Sequence, residues 1–178
     1  GDLHENVAGR RVAEAVTGPG IEIEGPFNSR YNLRARHRGL LVIDAERVER
    51  LNRVGDLSLF TRFTDQAVAA GRTVAGVKST PIVVPERQVI VIEELAASAG
   101  PIVDVLPFQP KTAAVVATES LHHKLRESFE RRVREKLAWY GGEVLGFDYV
   151  DADAGAVAAA MSAAFQRGAD ILLAAGGN

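Results

Sequence analysis

The sequence predicts an α/β protein in two parts: a mixed, mainly β (α+β) domain over residues 1–108, then the first part of a parallel three-layer α/β domain over residues 109–178. Three observations carry this. Up to about Phe108 the chain is rich in Val and Ile and punctuated by Gly and Pro, whereas after "PFQPK" it becomes Ala-rich. The apolar residues change over the same boundary from a period of two to helical spacing. Pro107 and Pro110 bracket the junction, and proline opposes regular structure through it.

With 178 residues, 47% of them hydrophobic, the chain is long enough to bury a core in one or two domains. Its net charge of −2 supplies no global field favouring nucleic acid or an acidic membrane. No apolar run reaches the length that spans a bilayer. The absence of Cys excludes disulfides, a thiolate nucleophile and thiolate-bound metal, and fits a reducing cytoplasm. A small molecule is the expected partner, with a homo-oligomer left open.

In chain order, "LHENVAGRRVAEAV" places Val7, Val12, Ala15 and Val16 near one helical face, and "TGPG" ends that helix. "IEIEGP" alternates apolar and acidic residues as a half-exposed strand does. "YNLRARHRGLLVID" gives two strands joined at Arg38-Gly39. Asp44 caps a short helix with Val48 and Leu51 inward. "DLSLFTRF" is a further strand, and the segment from Asp65 to Ser98 holds two or three more before a short helix.

Three features of this half invite a chemical reading. Arg34 to Arg38, "RARHR", forms either a phosphate patch or the solvent side of a strand, and no aromatic platform accompanies it. Lys78 is the lone cation of an apolar stretch, at a functional position or simply at a strand surface. His4 and Glu5 are adjacent candidates for a metal, without a matching partner nearby.

In the second half, "KTAAVVATES" is a strand of small and β-branched residues leading to Thr118, Glu119 and Ser120. Leu121, Leu125, Phe129, Val133 and Leu137 then form the i, i+4 stripe of a helix packed on a sheet. Within its first turn, His122 and His123 are expected to face solvent. Gly141-Gly142 closes that helix, "EVLGFDYV" is the next strand, and "DADAGAVAAAMSAAFQRG" is a helix ending at Gly168. "ADILLAAGG" is a third strand. Apolar strands alternating with helices imply a parallel sheet covered on its faces, and ligands bind beyond the carboxyl ends of such strands. Three segments therefore converge on one rim: Thr118 to Ser120, Val150 to Asp153, and Ala175 to Asn178. Hydroxyls and helix N-terminal amides suit a phosphate or polar ring, and glycines let a ligand approach the backbone. Thr118, Ser120, Asp151 and Asp153 also fit simple N-caps.

"GADILLAAGG" following "GGEVLGFDYVDAD" and a strand–"TES"–helix resembles the molybdopterin-binding domain of molybdenum-cofactor biosynthesis proteins (the MogA/MoeA-type fold). "LHENVAGRRVAEAV", "NLRARHRGLLVID", "VAGVKSTPIVV" and "VLPF" resemble the region preceding that domain in a set of bacterial molybdopterin-binding proteins. The resemblance spans essentially the whole chain. Its second-half motifs are shared with the competence-damage-protein family, which handles nicotinamide nucleotides.

The resemblance implies that Gly176 and Gly177 form the pterin-site glycine loop, with Thr118, Ser120 and Asn178 as further ligand contacts. It implies catalytic positions at Glu119, in the loop that opens the domain, and at Asp153, in the acidic turn beside Asp151. The metal ligands stay unassigned. Asn178 stands where Thr, Ser or Met is usual, and the acidic segment that follows in relatives does not appear. A fragment of a longer parent is the resulting expectation, binding pterin weakly by itself. The implied function is molybdopterin binding in molybdenum-cofactor biosynthesis. The full-length parent would be an adenylyl- or molybdenum-transferase using ATP and Mg2+. A non-catalytic molybdopterin carrier, or a nucleotide-hydrolysing relative of the competence-damage family, is the alternative.

Overall fold

A computed structural model describes residues 1–118 and 123–176. The described chain is mixed α/β, with five helices and twelve strands. It divides into two compact units, Gly1–Pro107 and Phe108–Asn178. Among the described residues, no helix is long and apolar enough to cross a membrane.

The first unit opens with β1 (Asp2–His4), paired antiparallel with β8 (Val83–Pro85). Helix α1 (Glu5–Val16) starts at His4, whose Nδ1 accepts from the Asn6 amide at 3.2 Å. The buried face of α1 is Ala8, Gly9, Val12, Ala13 and Val16, and Val7 is 49% exposed. This corrects the expectation that Val7 lies near the face of Val12 and Val16. The reason is close approach: a Cβ on Gly9 would lie 3.2 Å from the Tyr31 ring, so small residues define the contact.

That ring belongs to a four-stranded antiparallel sheet, in the order β2 (Ile21–Phe27), β3 (Arg30–Ala35), β7 (Thr73–Ser79), β5 (Leu57–Thr61). Its inner face carries Tyr31, Leu33, Val77 and Leu59, all buried. The strand after "RHR", β4 (Gly39–Ile43), does not pair with β3. It sits between β6 (Gln66–Val68) and β9 (Val103–Pro107) in a second antiparallel sheet. Asp44 caps α2 (Ala45–Asn52), accepting from the Arg47 amide at 2.9 Å. Arg47 is itself buried, with its guanidinium spread over Asp44 and the carbonyls of Ala96, Gly100 and Pro101. Those carbonyls lie at and beyond the end of α3 (Glu86–Ala97), so one cation satisfies acceptors that a helix end leaves open. Arg11 of α1 grips Glu93 and Glu86 of α3.

The second unit is a parallel sheet of three strands, β10 (Thr112–Ala117), β11 (Glu143–Tyr149) and β12 (Ile171–Ala175), in the order β11-β10-β12. Two helices connect them, α4 (His123–Trp139) and α5 (Ala154–Gln166). Side-chain alternation puts the helices on opposite faces. Phe147 meets Phe129 of α4 edge to face, and the Tyr149 hydroxyl meets Glu130 of the same helix. Asp148, between them, pairs with Arg167 at the end of α5. On that second face Ala114 packs with Ala164 and Ala169. Gly141, at φ 78°, lets the chain leave α4, and the Gly142 amide closes back on the Leu137 carbonyl at 2.8 Å. The α4 stripe is only partly covered: Phe129, Val133 and Leu137 are half-buried, while Leu125 is 59% exposed. Leu121 lies outside the described residues.

Candidate functional site

The order β11-β10-β12 means that the chain leaves β10 on one side and returns on the other. That is the beginning of the doubly wound order in which ligands bind beyond the carboxyl ends of the first and third strands. At this end of the sheet the Thr118 amide donates to the Ala175 carbonyl at 3.0 Å, and the Val150 amide to the Ala117 carbonyl at 2.9 Å. Pairing therefore runs to the edge of the rim on both sides of β10.

Gly176 follows β12 at φ 120°, in the region that side-chain-bearing residues rarely occupy. A Cβ there would lie 2.2 Å from Thr118 Oγ1. Glycine is thus required twice at this position, by the backbone angle and by the neighbouring hydroxyl. Thr118 and Gly176 are packed directly against one another, the hydroxyl occupying the side of Gly176 where a side chain would stand.

The third segment, after β11, is ordered by its own hydrogen bonds. The Asp153 amide donates to the Asp151 carbonyl at 2.7 Å, and Asp153 Oδ2 accepts from the Ala156 amide at 2.9 Å. Asp153 is therefore the N-cap of α5. Its Oδ1 accepts no hydrogen bond from the described residues, so a second donor can be served while the cap stays in place. Asp151 and Asp153 are both exposed. The first-turn amides of α5 lie at this rim and add donors suited to an anion or a polar ring edge.

Of the sequence-derived positions, Thr118, Asp151, Asp153 and Gly176 stand at the carboxyl ends of the three strands. Glu119, Ser120, Gly177 and Asn178, like His122, lie outside the described residues. Two further residues border the rim without having been anticipated. Tyr149 ends β11, and the Arg126 guanidinium of α4 lies 3.5 Å from its ring centroid. Arg126 also pairs with Glu130, which meets the Tyr149 hydroxyl at 3.2 Å. Burial weakens the acidity of that phenol. The alternation in "GFDYV" and the i, i+4 spacing of Arg126 and Glu130 were the available signals.

Of the other candidates, Lys78 is exposed on β7, while His4 and the basic segment are tied up structurally. His4 caps α1, and no group of three or more His, Asp or Glu side chains among the described residues is arranged to hold a metal ion. Arg34 pairs with Glu24 and donates to the Gly71 carbonyl, while Arg36 donates to the Ile21 carbonyl. The basic segment thus fastens β3 to its neighbours. His123 is exposed and stands one helical turn from Glu127.

No family model, curated protein or solved structure matches the chain.

Proposed function

We propose that the carboxyl rim of the parallel sheet binds molybdopterin, in the setting of molybdenum-cofactor biosynthesis. The observation that carries this reading is the meeting of Thr118, Gly176 and the Asp153-capped start of α5 at the carboxyl ends of the strands, beside the β10–β12 switch point. A glycine at the end of β12 leaves backbone that a flat ring or a phosphate can approach from the side Thr118 does not cover. Supporting it are the α5 N-terminus, suited to the ligand's phosphate, and Asp153 Oδ1, suited to a pterin N–H. The motifs "TES", "DAD" and "AAGG", which resemble the molybdopterin-binding family, fall at these same three places. Adenylylation of molybdopterin or molybdate insertion is the chemistry such a site serves. In this reading the described residues bind and orient, and magnesium has no assigned ligands.

The test is an amide-shift titration of the intact chain with molybdopterin or a stable pterin phosphate. Saturable shifts are expected at Ala117, Thr118, Asp151 to Ala156 and Gly176, at low affinity. Asp153→Asn keeps the cap, because Asn caps about as well as Asp, but removes the charge. It should therefore weaken binding about tenfold, roughly 1.4 kcal/mol, with melting unchanged. Asp153→Ala should in addition cost about 1 kcal/mol of stability. Shifts confined to other parts of the chain, or an Asp153→Asn protein that binds like the parent sequence, would remove the rim from consideration.

A further inference from the structure

The solvent face of the four-stranded sheet in the first unit carries a feature unrelated to that rim. Arg30 on β3 is the cross-strand partner of Lys78 on β7, and Lys78 is the partner of Ser58 on β5. Directly opposed residues share a face, with Cβ atoms about 4.5–5.5 Å apart. The adjoining Tyr31, Val77 and Leu59 are buried on the inner face. A guanidinium, an ammonium and a hydroxyl therefore stand in one row on the outer face, all three exposed.

Like charges directly opposite one another destabilise a sheet, and no carboxylate answers this pair. The residue opposite Arg30 on β2 is Phe27. Glu24 lies one row along and is engaged by Arg34, whose Nη1 is 3.2 Å from both carboxylate oxygens. Among the described residues, the side chains of Arg30, Lys78 and Ser58 have no hydrogen-bond or ion-pair partner. Arg30 is nevertheless held in place. Its Cζ lies 4.7 Å from the Phe60 ring centroid. That ring covers Gly76, where a Cβ would come within 2.3 Å of a ring carbon. A cation–π contact holds the guanidinium without a hydrogen-bond acceptor, so N–H donors remain for a ligand.

We propose that this row binds the phosphoryl group of a small phosphate monoester. Two cations match the charge of about −1.5 to −2 that such a group carries at neutral pH. The planar fork of Arg30, the point charge of Lys78 and the hydroxyl of Ser58 supply donors for its three terminal oxygens. A carboxylate, with one charge and two oxygens, leaves one of the two cations unanswered.

Glycerol 3-phosphate is the probe, titrated into the intact chain at fixed ionic strength while backbone amide shifts are followed, with chloride as the control. Saturable shifts centred on Arg30, Ser58 and Lys78 are expected. Arg30→Gln and Lys78→Gln should each weaken them at least fivefold, while Lys78→Arg restores most of the affinity. All three variants alter exposed positions, and a melting curve for each checks that the fold is retained. The proposal is overturned by the absence of shifts at these residues in about 20 mM probe. It is equally overturned by affinities that the Gln variants leave unchanged. Binding of a single-stranded oligonucleotide here without binding of the monoester would also overturn it, by assigning the face to a polymer.

Discussion

Residues 1–107 bury one continuous apolar cluster, running from Ala8 on α1 through Leu33, Leu41, Leu59, Val77 and Ile92 to Val105. Among the described residues of 108–178, those buried are the central strand β10, from Ala113 to Ala117, and little else. No residue of α4 is buried, α5 buries Ala164, and Phe165 is 70% exposed. The apolar area removed from water sets most of the stabilisation, and the residues that unit two hides are Ala and Val. Among the described residues, β11 and β12 each pair with a single neighbour, β10. The difference shows that the candidate pterin rim stands on the less deeply cored unit, while the deep core supports the antiparallel sheet with the Arg30–Lys78 row. Local opening at low cost is expected at the rim and not at that row.

The largest expected effect tests whether the two units are energetically separate. The chain has one Trp, Trp139, and its ring packs near Phe108 and Tyr140, all within the second unit. Trp emission therefore follows unit two alone. In urea the Trp139 transition should precede the bulk loss of secondary structure. Leu33→Ala empties a fully buried site and should cost about 2–5 kcal/mol. It should shift the later transition and leave the Trp-detected one in place. A common shift of both would mean that the units unfold as one body, and the comparison would fail.

The same contrast governs what could be read from sequence. Period-two alternation in "IEIEGP", the Asp44 cap and the Gly141-Gly142 stop are local devices, and each appears in the structure. The parallel strands of unit two were legible because β10 is apolar along its whole length, as a strand covered on both faces is. Features set by distant partners were hidden. The inward face of α1 is defined by Ala8, Gly9 and Ala13, because a tyrosine 22 residues beyond Gly9 comes close; apolarity alone ranks Val7 above them. β4 pairs with β9, Leu41 opposite Val105, a contact that no local pattern announces. Arg47 looks like a surface helix residue until the carbonyls beyond α3 arrive. At the rim, the placement of Thr118 and Gly176 at strand ends was legible because strand ends are marked locally. Arg126 on Tyr149 was not, because it needs the helix to fold back over the strand.

A smaller effect is expected at the junction of β10 and β12. Gly176→Ala meets both the backbone angle of 120° and the Thr118 hydroxyl. A backbone forced into such a region costs on the order of 1–3 kcal/mol, and the loss should appear in the Trp139 transition only. Thr118→Ala made in the same chain removes the hydroxyl but not the backbone strain. The double variant should therefore recover part of the loss and not all of it. Full recovery would assign the requirement for glycine to contact alone, and no recovery would assign it to the backbone alone.

The smallest effect is a pH dependence at the opposite end of the same sheet. Asp170 Oδ2 accepts from the Thr112 amide at 2.9 Å and from the Thr112 hydroxyl at 3.0 Å, with Lys111 Nζ 3.4 Å from Oδ1. These bonds, the backbone amide first, hold its carboxyl below the usual range. A depressed native pKa contributes stability that is present above the unfolded value, near pH 4, and is lost as pH falls through the folded one. In the first unit Asp44 and Glu93 are lowered in the same direction, Asp44 by the Arg47 amide and then its guanidinium, Glu93 by Arg11. Both units should therefore weaken on acidification below about pH 4, and neither through these groups between pH 5 and 7. Asp170→Asn keeps an acceptor for the Thr112 amide but loses the titrating charge. It should flatten the acid limb of the Trp139 transition while that of unit one persists. An acid limb in the Trp139 signal that survives the substitution intact would show that Asp170 does not couple the edge of β12 to pH, and that the acid sensitivity of the second unit lies elsewhere.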